Sequence, residues 1–189
     1  MKILFISAAV VGSLFFSSTN SIDEKVAEMP EMSVAIHQNG QEELMFLEAE
    51  KAFFTAGEKL MGHQSTFRVK GAEAPVKITS GEDLAFYVRG KMSKQNVPFT
   101  LAKMDIVKDK KRVIQNTPKN NPDNDIPIQR VGCDGSEVNK TLRIIKRIPS
   151  KGLEPGVYGV VFMSSTMKSF PMSAESLTTD VYSFEVLGN

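Results

Sequence analysis

Nucleophilic catalysis in this sequence would depend on His37 or His63 as the base, and the single cysteine Cys133 is a candidate nucleophile. A catalytic serine or cysteine needs a neighbouring base, usually an imidazole, and an acid that orients the base. No Gly-x-Ser-x-Gly sequence surrounds any serine. Cys133 stands in Gly-Cys-Asp-Gly, which predicts a turn and not a helix start that would lower the pKa of the thiol. We therefore predict that the protein is not an enzyme.

Methionine and histidine offer a second chemistry, the binding of reduced copper. Thioether sulfur is a ligand that soft copper prefers, and imidazole also suits copper. The chain has 10 methionines, but methionine is also a common filler of hydrophobic cores. We predict no metal and no cofactor, with a periplasmic copper or metal carrier as the alternative. The ligands of that alternative would be His37, His63, Met163, Met167 and Met172.

Asp123, Asn124 and Asp125 provide hard oxygen atoms of the kind that bind calcium. They lie in residues 116–126, a stretch with two prolines, four asparagines and no apolar residue before Ile126. An EF-hand loop would also need a glycine and a bidentate glutamate, which this stretch lacks. The composition therefore predicts a long solvated loop.

The elements that must position these groups are predicted to be β-strands. Apolar and polar residues alternate from residue 67 onward, so that Leu84, Phe86 and Val88 share one face of a strand. About eight or nine strands separated by turns are typical of a sandwich or barrel. We predict a mainly β protein, an antiparallel two-sheet β-sandwich. Residues 42–61 combine good helix formers with apolar residues near helical spacing, so a short helix there and a strand pair both remain open.

The first 21 residues have the pattern of a secretory signal peptide. Lys2 precedes an uncharged apolar run that ends at Phe16, and small polar residues follow. The run is shorter than the roughly 20 apolar residues of a membrane-spanning helix. We therefore predict a secreted or periplasmic protein, with no membrane span after cleavage of residues 1–21.

The predicted mature chain, residues 22–189, has the length of one domain. We divide it into an N-terminal strand and mixed segment, residues 22–66, and a β-sandwich core, residues 67–189. Without residues 1–21 the chain holds 22 basic and 22 acidic residues. This balance argues against nucleic acid as a partner, because dedicated nucleic-acid binders carry a basic excess.

Two residues have roles that depend on their environment. Cys133 is the only cysteine, so no internal disulfide can form, and we expect a buried thiol. Asn139 begins a glycosylation sequon, which has meaning only in a eukaryotic secretory host.

Basic residues form two clusters, and we expect both to be solvated surface. The first is predicted at a hairpin tip and the second on a strand at a sheet edge, where charge discourages edge-to-edge pairing. The clusters are Lys108, Lys110, Lys111 and Arg112, and Lys140, Arg143, Lys146 and Arg147.

The segment Leu153-x-Pro155-Gly156-x-Tyr158 resembles the corner found in fibronectin-type-III-like and other immunoglobulin-like sandwiches, including uncharacterised secreted bacterial proteins. In that corner the tyrosine hydroxyl bonds back to nearby backbone. The resemblance implies an immunoglobulin-like sandwich. The Cys–Trp–Cys pattern of antibody domains is missing, because the chain has one cysteine and no tryptophan.

The sequence therefore predicts a non-catalytic binding module for an unidentified protein or glycan. Loops at the ends of sandwiches commonly carry recognition. The candidate loop residues are Asn120, Asp123, Asn124, Asp125, Ser169 and Phe170.

Overall fold

A computed structural model describes residues 21–59, 62–90, 99–115, 129–162 and 177–188, without the side chains of residues 54–59, 62–65 and 177–178. The elements are α1 (Ile22–Ala27), β1 (Ser33–Gln38), β2 (Met45–Leu47), β3 (Ala49–Lys59), β4 (Gly62–Lys70), β5 (Val76–Ile78), β6 (Leu84–Arg89), β7 (Thr100–Lys103), β8 (Asp105–Val107), β9 (Lys111–Gln115), β10 (Cys133–Asn139), β11 (Ile144–Pro149), β12 (Gly156–Val161) and β13 (Leu177–Val186).

The strands form two packed sheets. The strand order is β10-β11-β6-β1-β2 in sheet A and β7-β12-β13-β3-β4-β9-β8 in sheet B, and all these neighbours are antiparallel. The short strand β5 adds a parallel pairing to the end of β13. This arrangement confirms the predicted mainly β, two-sheet sandwich.

Sheet B closes on itself almost like a barrel. Its two end strands, β7 and β8, are consecutive in the chain and are separated only by Met104. The Met104 N–H donates to the carbonyl oxygen of Val157 at 2.8 Å, and the Met104 side chain is buried. Sheet B therefore has an inner space of its own besides the layer that it shares with sheet A.

Two separate cores follow from this closure, because side chains on a strand alternate between faces. On β12, Tyr158 and Val160 pack in the layer between the sheets, whereas Val157 and Val161 belong to the core inside sheet B. Both faces of β12 and of residues 181–186 of β13 are therefore covered, and most of these residues are buried.

The outer face of sheet A carries the short helix α1. Val26 and Met29 pack there against Ala35, Tyr87 and their neighbours. The helix forms because two apolar residues of the segment reach an apolar sheet face. Among the described residues, no helix is long and apolar enough to cross a bilayer.

For residues 42–61 the sequence left a short helix and a strand pair open, and the described part of this segment holds strands and no helix. Residues 42–59 contain β2, which pairs with β1, and β3, which pairs with β13 and β4. Helix propensity amounts to a few tenths of a kcal/mol for most residues, and strand pairing on both sides overrides it here.

Two details near β10 also differ from expectation. The turn predicted at residues 132–135 is wrong, because Cys133 begins β10, which pairs with β11 from Cys133↔Pro149 onward. The edge strand of sheet A is β10, so the basic residues of β11 lie one strand inside the edge. Glycines at both ends of Gly-Cys-Asp-Gly favour a turn locally, but the long-range ladder decides the conformation.

Candidate functional site

Most of the predicted recognition and metal-binding residues lie outside the described part of the chain. His63 lies on β4, and its side chain is not described. The residues outside the described ranges are Asn120, Asp123, Asn124, Asp125, Met163, Met167, Ser169, Phe170 and Met172.

The remaining candidate ligand of the copper alternative, His37, is held by hydrogen bonding. Its Nε2–H donates to the carbonyl oxygen of Gln41 at 2.8 Å, and its ring meets the Tyr87 ring edge-on with centroids 6.5 Å apart. Within the described ranges, no three or more His, Cys, Asp or Glu side chains group in a way that could hold a metal ion.

Among the described residues, the nucleophilic side chains of Cys133 and Ser183 lie near charged groups, and neither is activated for reaction. Burial raises the pKa of the Cys133 thiol to about 11, and the nearby Arg147 and Arg130 offset this only in part. Ser183 is fully buried, donates to Glu50 and accepts from Arg112. A protonated thiol and an enclosed hydroxyl are both poor nucleophiles.

A basic surface forms on the outer wall of sheet B, and alternation explains which side chains reach it. On β4, Phe67 and Val69 point into the core of sheet B, so Arg68 and Lys70 point outward. On β9, Arg112 faces inward and Lys111 outward.

The outward side of β3 completes this surface. Ala52 is buried in the core of sheet B, so its neighbours Lys51 and Phe53 point outward. Phe53 remains 48% exposed although it is aromatic.

The register of three adjacent strands aligns these residues. Phe53 lies directly opposite Arg68, and Lys70 lies directly opposite Lys111. Since Ala52 pairs with Val69, the next position places Lys51 beside Lys70. Lys51, Lys70 and Lys111 therefore form a row across β3, β4 and β9, with neighbouring strands about 4.8 Å apart.

Most of the positive charge in this row is unneutralised. Lys51 Nζ lies 2.5 Å from Asp180 Oδ1, but within the described residues Arg68, Lys70 and Lys111 form no ion pair. Like charges directly opposite each other destabilise a sheet. Repulsion within the row therefore destabilises the folded sheet, and a bound anion would reduce this repulsion.

The β8–β9 hairpin tip extends the surface with two further exposed lysines, Lys108 and Lys110. We call the whole surface the basic face. It consists of Lys51, Phe53, Arg68, Lys70, Lys108, Lys110 and Lys111.

The sequence revealed only part of the basic face. The predicted tip cluster included Arg112, which instead lies inside sheet B at 1% exposure. Alternation in Phe67-Arg68-Val69-Lys70 shows that Arg68 and Lys70 share a face. Their position beside Lys51 and Lys111 depends on strand pairing, which no local pattern displays.

The Tyr158 hydroxyl donates to the carbonyl oxygen of Glu154 at 2.8 Å. In comparisons with known proteins, no protein-family model, no curated protein and no solved structure matches the chain.

Proposed function

We propose that the protein is a non-catalytic binding module whose basic face binds an acidic glycan. The observation that carries the proposal is the row of Lys51, Lys70 and Lys111 on adjacent strands, with Arg68 beside it and most of its charge unpaired. An anionic ligand would relieve the repulsion within this row and gain charge-assisted hydrogen bonds.

The shape of the surface favours an extended ligand. The row crosses three strands of an exposed sheet wall, which suits a chain with repeated carboxylate or sulfate groups. Phe53 adds an exposed apolar ring next to Arg68, against which the apolar face of a sugar can pack. The proposal places the protein outside the cytoplasm, secreted or periplasmic, where such glycans occur.

Nucleic acid is a weaker candidate for the same surface. Single-stranded nucleic acid binds proteins through several stacking aromatics along a basic groove. Within the basic face, Phe53 is the one aromatic residue among the described side chains. The balanced overall charge also gives little long-range attraction for a duplex.

The proposal can be tested with heparin and polygalacturonate as probes, and with neutral dextran for comparison. Binding is measured by titration calorimetry at roughly 0.05 M and 0.5 M salt, because screening weakens contacts between exposed charges. We expect binding to an acidic glycan at low salt, weaker binding at high salt and none to dextran.

A pair of charge-matched variants separates the basic face from general electrostatics. The variant Arg68→Ser/Lys70→Ser should weaken acidic-glycan binding about tenfold or more. The control Lys140→Ser/Lys151→Ser removes two exposed cations elsewhere and should change binding little. Equal losses in both variants, or equal binding to dextran, would contradict the proposal, and tighter binding to single-stranded DNA would identify a different ligand class.

A further inference from the structure

The free edge of sheet A is a second surface, independent of the basic face. β10 is the last strand of this sheet, and the side chains from Asp134 to Val138 are exposed. Val138 is apolar and 39% exposed. Exposed strand edges present unpaired backbone groups that can pair with another strand.

Backbone hydrogen bonding decides which residues of β10 face the open edge. Gly132 directly precedes β10 and Ser150 directly follows β11, and the Ser150 N–H donates to the carbonyl oxygen of Gly132 at 2.9 Å. These two residues therefore form a hydrogen-bonded pair at the end of the ladder. Hydrogen-bonded and non-hydrogen-bonded pairs alternate in an antiparallel ladder. Gly135 and Glu137 therefore direct their N–H and C=O groups away from β11. Pro149 has no N–H, but the pairing of β11 with β10 does not need one there, because Pro149 and Cys133 form a non-hydrogen-bonded pair.

Arg147 brings an unpaired positive charge to this edge. It lies on β11 directly opposite Gly135, and its guanidinium crosses β10 so closely that a Cβ on Gly135 would lie 1.9 Å from Nη1. Its Nε is buried without a hydrogen-bond partner, and within the described residues the guanidinium makes no ion pair. Because glycine has no Cβ, Gly135 leaves room for the guanidinium to reach the edge.

Glu137 supplies the complementary charge on the same strand. It has the same parity as Gly135, so it lies on the same face as Arg147. It is exposed and forms no ion pair with any described residue, including Arg147 of its own chain.

We propose that two copies of this chain associate through antiparallel pairing of their β10 strands about a twofold axis at Ser136. This register places Glu137 of one copy directly opposite Gly135 of the other, beneath the guanidinium of Arg147. The outward-facing backbone groups of Gly135 and Glu137 then bond to each other across the axis. Because the interface is isologous, each Arg147 receives a Glu137 carboxylate from the other copy.

The same register keeps like charges apart elsewhere along the edge. Asp134 meets Val138 of the other copy, and Ser136 meets Ser136, so no like charges are directly opposed. Pairing by the edge extends sheet A across the axis and covers the exposed Val138.

The test is the oligomeric state of the purified full chain, measured by sedimentation equilibrium up to about 100 µM, a range suited to a small interface. We expect a monomer–dimer equilibrium for the unmodified protein. Glu137→Pro removes the N–H that faces the partner and leaves the bonds to β11 intact, as proline is tolerated at the outward positions of edge strands. This variant should weaken dimerisation about tenfold or more.

A charge exchange tests the ion pair separately. Glu137→Arg and Arg147→Glu should each give monomers, and the double variant Glu137→Arg/Arg147→Glu should restore the dimer. Circular dichroism and thermal melting establish that each variant is folded, and Asp134→Asn serves as a control that should keep the dimer. A monomeric unmodified protein would overturn the proposal, as would a dimer that withstands both Glu137→Pro and Glu137→Arg.

Discussion

Arg112 and Glu50 form a bidentate ion pair inside sheet B, with Nη1–Oε2 at 2.9 Å and Nη2–Oε1 at 2.5 Å. The guanidinium Nε also donates to the carbonyl oxygen of Gly71 at 3.1 Å, and Nη2 donates to the carbonyl oxygen of Lys70 at 3.2 Å. Nη1 donates to the Ser183 hydroxyl. All five N–H groups of Arg112 thus have an acceptor. A charge at 1% exposure is tolerated because its partners are complete.

Removing one partner of this pair should be strongly destabilising. We expect Arg112→Met to lower the free energy of unfolding by about 3–5 kcal/mol, because Glu50 is left without its cation inside the sheet. The double variant Arg112→Met/Glu50→Leu should lose clearly less than the sum of the two single variants. Urea denaturation measures all three, and simple additivity would show that the pair does not act as a unit.

The Tyr158 hydroxyl should contribute to stability through one hydrogen bond. It donates to the Glu154 carbonyl at 2.8 Å, while the ring stacks on Phe184 with centroids 5.5 Å apart. Tyr158→Phe keeps the stacking and should cost about 1 kcal/mol. Tyr87→Phe is the matched control, because Tyr87 is buried and its hydroxyl makes no hydrogen bond to a described residue. An unchanged urea midpoint for Tyr158→Phe would show that this hydrogen bond adds no stability.

Stability should fall in alkaline solution. Burial raises the pKa of Tyr158, with a further rise from Glu154, and burial likewise raises the pKa of Tyr182, with a further rise from Asp180. Burial also raises the pKa of the Cys133 thiol to about 11. Unfolded tyrosine and cysteine lose their protons near pH 10 and 8.5, so above about pH 8.5 the unfolded chain binds fewer protons than the folded one.

The free energy of unfolding is therefore expected to decline as the pH rises. The stabilisation is complete below the ordinary pKa of each group and is lost as the pH passes through the raised value. Urea denaturation at several pH values between 8 and 11 measures the slope, and Cys133→Ala should remove the part of it that begins near pH 8.5. A flat profile over this range would contradict the assigned burial of these groups.

The β8–β9 turn contains local backbone strain. Lys108 and Asp109 have positive φ angles of 55° and 49°, a region that costs most L-residues about 1 kcal/mol or more. Asp109→Gly should therefore raise the melting temperature slightly, with a gain of at most about 0.5 kcal/mol, because the added entropy of glycine in the unfolded chain offsets most of the relief. Asp109→Val should lower it, because β-branched residues avoid this region. The opposite order of the two variants would argue against the strained turn.

Local alternation predicted the central strands well. Leu84, Phe86 and Val88 were expected on one face, and all three lie in the core between the sheets. Alternation is a local property, because successive side chains of a strand point to opposite faces whatever the strand pairs with. For residues 42–61 the local pattern left a helix and a strand pair open. Good helix formers fill this segment, and the pairing of β3 with β13 joins it to a strand far away in the chain.

The sequence by itself determined the fold class, the inward and outward sides of most strands, and the lack of any internal disulfide. Only the tertiary structure decided that Lys51, Lys70 and Lys111 form one row, that Arg112 lies inside, and that β10 is a free edge. The physical reason is that strand order and register are set by contacts between distant segments and by the closure of sheet B, and neither leaves a trace in the local pattern of residues.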